Sequence, residues 1–463
     1  MLKNNIKKLH FIGIGGIGMS GIAEIFHNLG FPVSGSDLAE SRITKRLASL
    51  GITIHLGHNA SNVADADVVV YSAAVPPTNP EIDFARSKKL PLIPRAEMLN
   101  ELTRLKTGIA ISGTHGKTTT TSMVAEIFAE AGLDPTYVIG GKLNSINSNA
   151  RLGKGEHIIF EACEAFGSFQ YFSPIAMVLL NIDSDHLEYY ETMDSLRNAF
   201  LSFVNKIPFY GMAIVNNDDP NVRMILDRVS KRIVSYGIDS ESDYMAKNLQ
   251  FHDWSSSFDL VANGTNLGRI KLILPGKHNV SNAVAATAVA LENGISFDAI
   301  SRALGRFVNA DRRFQIKGEY RGITVVDDYA HHPSEIRATL EGARQHPGKR
   351  IIAVFQPHLF SRTLQLYADF ATALSIADEV ILLPVYPARE KPIPGVTSQL
   401  VVDAMGKAGY SSCILHEDPA SLSKLLLERT REKDLVLFLG AGSIWQYAEE
   451  FVELLAREEA RYG

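Results

Sequence analysis

Short apolar runs alternate with stretches of helical periodicity along nearly the whole chain. Near the start, three apolar runs and two helical patterns lie at 9–12, 32–33, 68–71, 19–29 and 43–50. Strands that alternate with helices are typical of α/β domains with a parallel sheet. The pattern therefore predicts an α/β domain over residues 1–105.

Two further cycles of the same pattern follow. Their apolar runs lie at 108–112, 158–160 and 177–181, and then at 323–326, 351–355, 380–383 and 435–439, with a break near 312. A chain of 463 residues is longer than one hydrophobic core usually supports. We therefore expect two more α/β domains, over residues 106–312 and 313–463.

Composition excludes some classes of protein. The formal net charge is −5, from 46 Lys+Arg against 51 Asp+Glu, so the chain lacks the positive field that a nucleic-acid partner requires. Its two cysteines, Cys163 and Cys413, lie far apart and argue against a disulfide framework. No segment is long and apolar enough to span a bilayer. We expect a cytoplasmic protein without membrane insertion.

The first glycine-rich loop matches the pattern G-x-G-x-x-G at Gly13, Gly15 and Gly18, with Gly16 beside them, and Asp37 follows the next apolar segment. Such glycines let the backbone approach a diphosphate, while the acidic residue accepts hydrogen bonds from a ribose. The pattern indicates a ligand with both groups. The alternatives are a tight strand-to-helix turn and, for Asp37, a helix cap.

The second loop runs from Gly113 to Thr118 and also follows an apolar run. It is a shortened variant of the Walker pattern, which would need glycine where this chain has Ile111. Its N–H groups would cradle phosphates, Lys117 would neutralise them, and the Thr118 hydroxyl would meet Mg²⁺. The alternative is a capped helix with a surface lysine.

Acidic residues and a histidine follow the next apolar runs of the central domain. Glu161 follows 158–160, and the segment 183–186, which ends in His186, follows 177–181. Because the carboxyl ends of parallel strands share one edge, we expect these side chains near the phosphate loop, with Glu164 and Asp185 as secondary candidates.

These two loops and several later motifs, in the same order, resemble the ATP-dependent amino-acid ligases of peptidoglycan precursor synthesis. The likeness covers nearly the whole chain, at 10–20, 113–119, 181–186, 275–282, 312–315, 327–333, 356–358, 361–363 and 386–391. The resemblance implies a Rossmann-like UDP-sugar domain, a central P-loop ATPase domain and a C-terminal Rossmann-like α/β domain that binds the amino acid.

The resemblance also implies a role for each matching position. UDP-sugar binding falls to Gly15, Gly16, Gly18, Met19, Ser20 and Asp37. ATP binding falls to Gly113, Thr114, His115, Gly116, Lys117, Thr118, Thr119, Asn279, Asn282, Arg313 and Asp328. The metal ligands are Thr118, Glu161 and His186, the catalytic residues are Lys117, Glu161, His186 and Arg313, and the alanine-binding residues are Tyr329, His331, His358 and Arg362.

The activity implied is ATP-dependent joining of L-alanine to the lactyl carboxylate of UDP-N-acetylmuramate through an acyl phosphate. ATP is then a co-substrate, two Mg²⁺ ions are expected, and Mn²⁺ can substitute because its ligand preferences overlap. The resemblance is compatible with a monomer or a homodimer.

Three departures from the family pattern bear on this hypothesis. The segment after Glu161 has Cys163 and Phe166 where the family often has hard ligands, and Leu359 stands where an arginine is common. Members that add later residues carry a carbamylated lysine, and residues 187–205 contain no lysine, which favours the alanine-adding branch.

Three alternative functions stay open at this point. They are a ligase that reattaches a recycled peptide, a dinucleotide-dependent oxidoreductase with an accessory ATPase, and a purely binding protein.

Overall fold

The computed structural model describes residues 8–72, 74–104, 106–143, 148–346, 348–388 and 390–462. Residues 1–7 and 105 of the first predicted domain, and residue 389 of the motif at 386–391, lie outside this part of the chain. The described strands form three separate sheets of five, ten and six strands. Three α/β domains, as the alternating pattern predicted, are confirmed by these sheets, whereas the boundaries after 105 and 312 stay a prediction.

The first sheet is parallel, and its strands follow the order β3-β2-β1-β4-β5. The strands are β1 (Leu9–Ile12), β2 (Val33–Asp37), β3 (Thr53–Leu56), β4 (Val68–Tyr71) and β5 (Leu92–Pro94). The helices are α1 (Ile17–Asn28), α2 (Arg42–Ser49), α3 (Pro80–Ser87) and α4 (Arg95–Thr103). The order in which the strands connect reverses at β1, with β2 and β3 on one side and β4 and β5 on the other. Ligands of such sheets bind at the carboxyl ends of the strands beside that reversal.

The central sheet follows the order β15-β14-β13-β12-β11-β10-β6-β9-β7-β8. Its strands are β6 (Thr107–Ser112), β7 (Thr136–Leu143), β8 (Ser148–Arg151), β9 (His157–Ala162), β10 (Ala176–Leu179), β11 (Met212–Asn216), β12 (Arg232–Gly237), β13 (Tyr244–His252), β14 (Ser255–Ala262) and β15 (Thr265–Leu272). Its helices are α5 (Lys117–Glu130), α6 (Leu187–Tyr190), α7 (Met193–Val204), α8 (Pro220–Leu226), α9 (Lys277–Glu292) and α10 (Phe297–Gly305). Strand β6 pairs in parallel with β9 on one side and β10 on the other.

The C-terminal sheet follows the order β16-β17-β21-β18-β19-β20, with β16 antiparallel to β17 and the other pairs parallel. Its strands are β16 (Gln315–Tyr320), β17 (Ile323–Asp328), β18 (Ile351–Phe355), β19 (Glu379–Leu382), β20 (Cys413–Leu415) and β21 (Leu435–Leu439). Its helices are α11 (Pro333–Arg344), α12 (Phe360–Leu374), α13 (Gln399–Lys407), α14 (Leu422–Arg429) and α15 (Ile444–Tyr462). Every residue of β17, β18, β19 and β21 is buried, as expected of a parallel sheet with both faces covered.

The chain forms two compact units. The first comprises residues 1–248, 258–270 and 281–310, and the second comprises 249–257, 271–280 and 311–463. Within the second unit, the indole of Trp254 packs against the rings of Phe314 and His346, with centroids 5.5 and 4.5 Å away. No helix in the described part of the chain combines the length and apolar character needed to cross a membrane.

A buried carboxylate joins α3 to the first sheet. Glu81 is fully buried, and it accepts hydrogen bonds from Ser36 Oγ (2.6 Å) and Asn62 Nδ2 (2.7 Å). The ring of His10 lies 3.7 Å away. Burial alone would raise the pKa of Glu81, but His10 and the two hydrogen bonds prevail and lower it to about 2.

This low pKa predicts a pH-dependent stability. Because Glu81 is held ionised in the folded state, its contribution is complete above the unfolded pKa near 4.5 and is lost as the pH falls towards 2. At pH 7, Glu81→Gln should lower the free energy of unfolding by about 3 kcal/mol, as measured by urea unfolding. The difference from wild type should shrink between about pH 5 and pH 2. A difference that is constant over that range would contradict this assignment.

Candidate active site

The first glycine-rich loop joins the carboxyl end of β1 to the first turn of α1. The N–H of Gly15 donates to Asp37 Oδ2 at 2.8 Å, and a Cβ on Gly15 would lie 2.8 Å from that same oxygen. Asp37 is thus bound to the loop at the end of β2, and it does not cap a helix. A side chain at position 15 would displace the Asp37 carboxylate from the loop.

Met19 and Ser20, which were predicted to contact the UDP-sugar, lie in the first turns of α1. Both side chains are buried, and both N–H groups donate to Gly16 O. The hydroxyl of Ser20 donates to Ile17 O at 3.0 Å. These two residues shape the helix start, whereas Gly15, Gly16 and Gly18 form the surface of the loop.

The second loop is attached to the segment that follows β10. The N–H of His115 donates to Asn181 Oδ1 at 2.8 Å, and the N–H of Thr114 donates to Asn181 O at 3.1 Å. The N–H of Asp183 donates to Thr114 Oγ1 at 2.9 Å, and His115 Nε2 lies 2.9 Å from Asp183 Oδ2. These contacts fix the loop between two neighbouring strands of the sheet.

Both glycines of this loop have backbone angles that disfavour other residues. Gly113 has φ +134°, and a Cβ there would lie 3.0 Å from Asn181 N. Gly116 has φ +82°, and a Cβ there would lie 2.7 Å from Asn282 Oδ1. Asn282, which was predicted to lie near adenine, therefore packs directly on the phosphate loop. This turn brings the N-terminus of α5 to the end of β6.

Lys117 is the first residue of α5, and its ammonium group is held inside the loop. It donates to Gly113 O and Thr114 O, and it lies 3.0 and 3.2 Å from the carboxylate oxygens of Glu164. Glu164 is only 1% exposed. Burial lowers the pKa of Lys117, but the charge of Glu164 prevails and raises it, so the lysine stays protonated.

The predicted metal ligands lie around this pair. Glu161 accepts a hydrogen bond from Gly140 N at 2.6 Å and is close enough to Lys117 for its charge to raise the pKa of that lysine. His186 Nε2 lies 3.9 Å from Glu164 Oε1. Thr118 occupies the second position of α5. A hydroxyl and carboxylates at a phosphate loop are the oxygen ligands that Mg²⁺ and Mn²⁺ prefer, so Thr118 and the glutamates fit the metal. The imidazole of His186 is a nitrogen ligand, which these hard cations take less readily.

The sequence did not reveal the full role of two residues of this site, Glu164 and Asn181. Glu164 was a secondary candidate, yet it pairs with Lys117 and adjoins His186. Asn181 had no assigned role, although its position at the start of the motif at 181–186 was a signal. Cys163 lies between the two glutamates in sequence, and burial raises the pKa of its thiol to about 11. A protonated thiol agrees with a packing role.

In the second unit, the predicted alanine-binding rings form a continuous row. Tyr329 contacts His331, His331 contacts His358, and His358 stacks on Tyr386, with centroids 5.3, 6.1 and 5.7 Å apart. Tyr386 had no assigned role, and its membership of the motif at 386–391 was the only signal. Arg362 is half-buried in the first turn of α12, four residues after His358.

Charged residues surround the other end of this row. The guanidinium of Arg313 lies 5.3 Å from the centre of the Tyr329 ring. Burial raises the pKa of Asp328 to about 6. The charge of Arg313 and the hydrogen bonds from Phe314 N and Ala330 N lower this pKa but do not outweigh burial. Asn279, also in this unit, donates from Nδ2 to Pro275 O at 2.7 Å.

Family models match most of the chain. The Mur ligase family catalytic domain matches residues 8–107, the Mur ligase middle domain matches 111–290, and the Mur ligase glutamate ligase domain matches 312–442. The first and third matches each contain a whole sheet, and the second contains the central sheet except for the first residues of β6.

Individual proteins agree with these models. The UDP-N-acetylmuramate–L-alanine ligase of Pelobacter propionicus is 51% identical over 98% of this chain and 99% of the relative, and that of Geobacter sulfurreducens is 50% identical over 98% and 99%. The crystal structure of UDP-N-acetylmuramate-alanine ligase from Thermotoga maritima is 32% identical, covers 97% of this chain and 99% of its own, and has a TM-score of 0.83. This chain belongs to the Mur ligase family.

Proposed function

We propose that this chain joins L-alanine to the lactyl carboxylate of UDP-N-acetylmuramate, at the expense of ATP, in cytoplasmic synthesis of peptidoglycan precursors. The observation that carries the proposal is the ion pair of Lys117 and Glu164 in a phosphate loop, in a unit that also holds a diphosphate-type loop. Relatives that are 51% and 50% identical over 99% of their own length are named UDP-N-acetylmuramate–L-alanine ligases, which supports the choice of both UDP-N-acetylmuramate and L-alanine.

The chemistry begins with a carboxylate that is a poor acyl donor until its oxygen becomes a leaving group. The lactyl carboxylate attacks the γ-phosphoryl group of ATP in line, which gives an acyl phosphate and ADP. Lys117 and the N–H groups from Gly113 to Thr118 neutralise the charge that develops on the phosphoryl oxygens. Thr118, Glu161 and His186, with Glu164 beside them, would hold Mg²⁺, which when bound supplies further positive charge to the phosphates.

The second step forms the amide. The neutral amine of L-alanine attacks the acyl phosphate, and the tetrahedral intermediate collapses with loss of phosphate. The row of rings from Tyr329 to Tyr386 would enclose the small side chain of alanine, and Arg362 would bind its carboxylate as a guanidinium fork. Arg313, Asp328, Asn279 and Asn282 keep the ATP-binding roles that the family resemblance implies.

The first prediction about activity concerns the acceptor. With ATP, Mg²⁺ and UDP-N-acetylmuramate, the chain should release phosphate only when L-alanine is added, and mass spectrometry should detect the amide. A tripeptide should neither replace alanine nor compete with it. Turnover with the tripeptide alone would favour the recycling ligase, and a change in nicotinamide absorbance would favour the oxidoreductase.

The second prediction concerns the phosphate loop. Lys117→Ala should lower alanine-dependent phosphate release by about 100-fold or more, because the γ-phosphoryl charge is no longer neutralised. The affinity for UDP-N-acetylmuramate, measured by calorimetry, should be unchanged. Lys154→Ala, which alters an exposed lysine of the same unit, should be as active as wild type. Full turnover by Lys117→Ala would refute the assignment of the ATP site.

The third prediction concerns Tyr386, whose ring stacks on His358 with an angle of 16° between the planes. Tyr386→Ala should raise KM for alanine by about tenfold, because His358 loses the ring that holds it in place. Tyr386→Phe keeps the ring and should remain near wild type. The KM for ATP should not change in either variant. Equal effects on both KM values would contradict a role in the alanine site.

A further inference from the structure

Arg95 stands at the same edge of the first sheet as the glycine-rich loop, although no motif includes it. Strand pairing places Ile12 of β1 beside Tyr71 of β4, and Tyr71 beside Pro94 of β5. Arg95 follows Pro94 directly and begins α4. It therefore leaves the sheet at the level at which Gly13 leaves β1.

The guanidinium of Arg95 lies against the last glycine of the loop. A Cβ built on Gly18 would lie 3.0 Å from Arg95 Nη1 and 3.4 Å from both Cδ and Cζ. Gly18 is in the first turn of α1, which has no acidic residue in that turn. The positive end of the helix and the guanidinium thus lie side by side, with no carboxylate from α1 between them.

Arg95 also lacks a partner. In the described part of the chain its side chain makes no hydrogen bond or ion pair, although it is partly buried. The other cation at a phosphate-type loop, Lys117, is paired with Glu164. A partly buried guanidinium beside a helix N-terminus is destabilising unless an anion accepts its hydrogen bonds.

We propose that Arg95 binds the diphosphate of the UDP-sugar where that diphosphate lies against Gly18. This inference rests on the proposed function, which supplies the nucleotide-linked substrate. A guanidinium presents parallel N–H donors that match two phosphate oxygens, whereas the N–H groups at the start of α1 contribute without a full charge. Arg95 is then the side chain that neutralises the diphosphate, and the glycines give it room.

A second anion of the same substrate, the lactyl carboxylate, has to be distinguished from the diphosphate. Arg95 lies close enough to Cys163 for an electrostatic interaction with its thiol. Cys163 lies in the segment that also holds Glu161 and Glu164, beside the ATP loop. The separating probes are UDP and UDP-N-acetylglucosamine, which carry the diphosphate but lack the lactyl group.

The test measures Kd by calorimetry for UDP, UDP-N-acetylglucosamine and UDP-N-acetylmuramate. Arg95→Ala should weaken binding of all three by the same factor, about 10- to 100-fold, and Arg95→Lys should fall between it and wild type. The Kd for ATP should not change. Arg86→Ala is the matched control, since Arg86 is an exposed arginine of α3 paired with Asp83, and it should bind as wild type does.

Three results would overturn the proposal. Unchanged UDP binding by Arg95→Ala would show that the diphosphate does not need this residue. Weakening confined to UDP-N-acetylmuramate would assign Arg95 to the lactyl carboxylate. Equal weakening by Arg95→Lys and Arg95→Ala, with a lowered melting temperature in both, would indicate a structural role. If wild type binds none of the three nucleotides, the proposed function fails together with this inference.

Discussion

The ion pair between Lys117 and Glu164 is the interaction on which the site depends. A buried ammonium is costly unless a carboxylate lies beside it, and Glu164 supplies that carboxylate at 3.0 Å. The N–H of His115 donates to Asn181 and the N–H of Asp183 donates to Thr114, and together with the ion pair these hydrogen bonds hold the phosphate loop in place. A preorganised loop stabilises charge at the γ-phosphoryl group without having to rearrange during the reaction.

Sheet topology explains why these residues meet. Strand β6, which leads into the phosphate loop, lies between β9 and β10. The glutamates at the end of β9 and the Asn181 to His186 segment after β10 therefore flank the loop on its two sides. The first sheet repeats this logic with β1 between β2 and β4, which brings Asp37 to Gly15. In both sheets a central strand leads into the loop, and side chains from at least one neighbouring strand hold it.

The sequence predicted both loops and the strands β1, β4, β6, β9, β10, β17, β18, β19 and β21, because each of these strands contains an apolar run next to glycine or polar residues. It did not predict β3, β5, β7, β8, β11 to β16 or β20. Some of these strands are short, such as β5 and β20, and others mix polar and apolar residues, such as β14 and β15. The sequence also could not predict that Glu164, rather than Glu161, pairs with Lys117. Both glutamates follow the same apolar run, and only the folded backbone decides which carboxylate faces the ammonium. The position of Arg95 could not be predicted either, because Gly18, against which its guanidinium lies, is distant in sequence.

The central claim is that ATP activates the lactyl carboxylate as an acyl phosphate before alanine attacks. The most direct measurement uses UDP-N-acetylmuramate labelled with ¹⁸O in that carboxylate and follows the label in the released phosphate by mass spectrometry. The account predicts that each phosphate released with amide formation carries one ¹⁸O atom from the carboxylate. Unlabelled phosphate, formed while all the label stays in the sugar nucleotide, would contradict it.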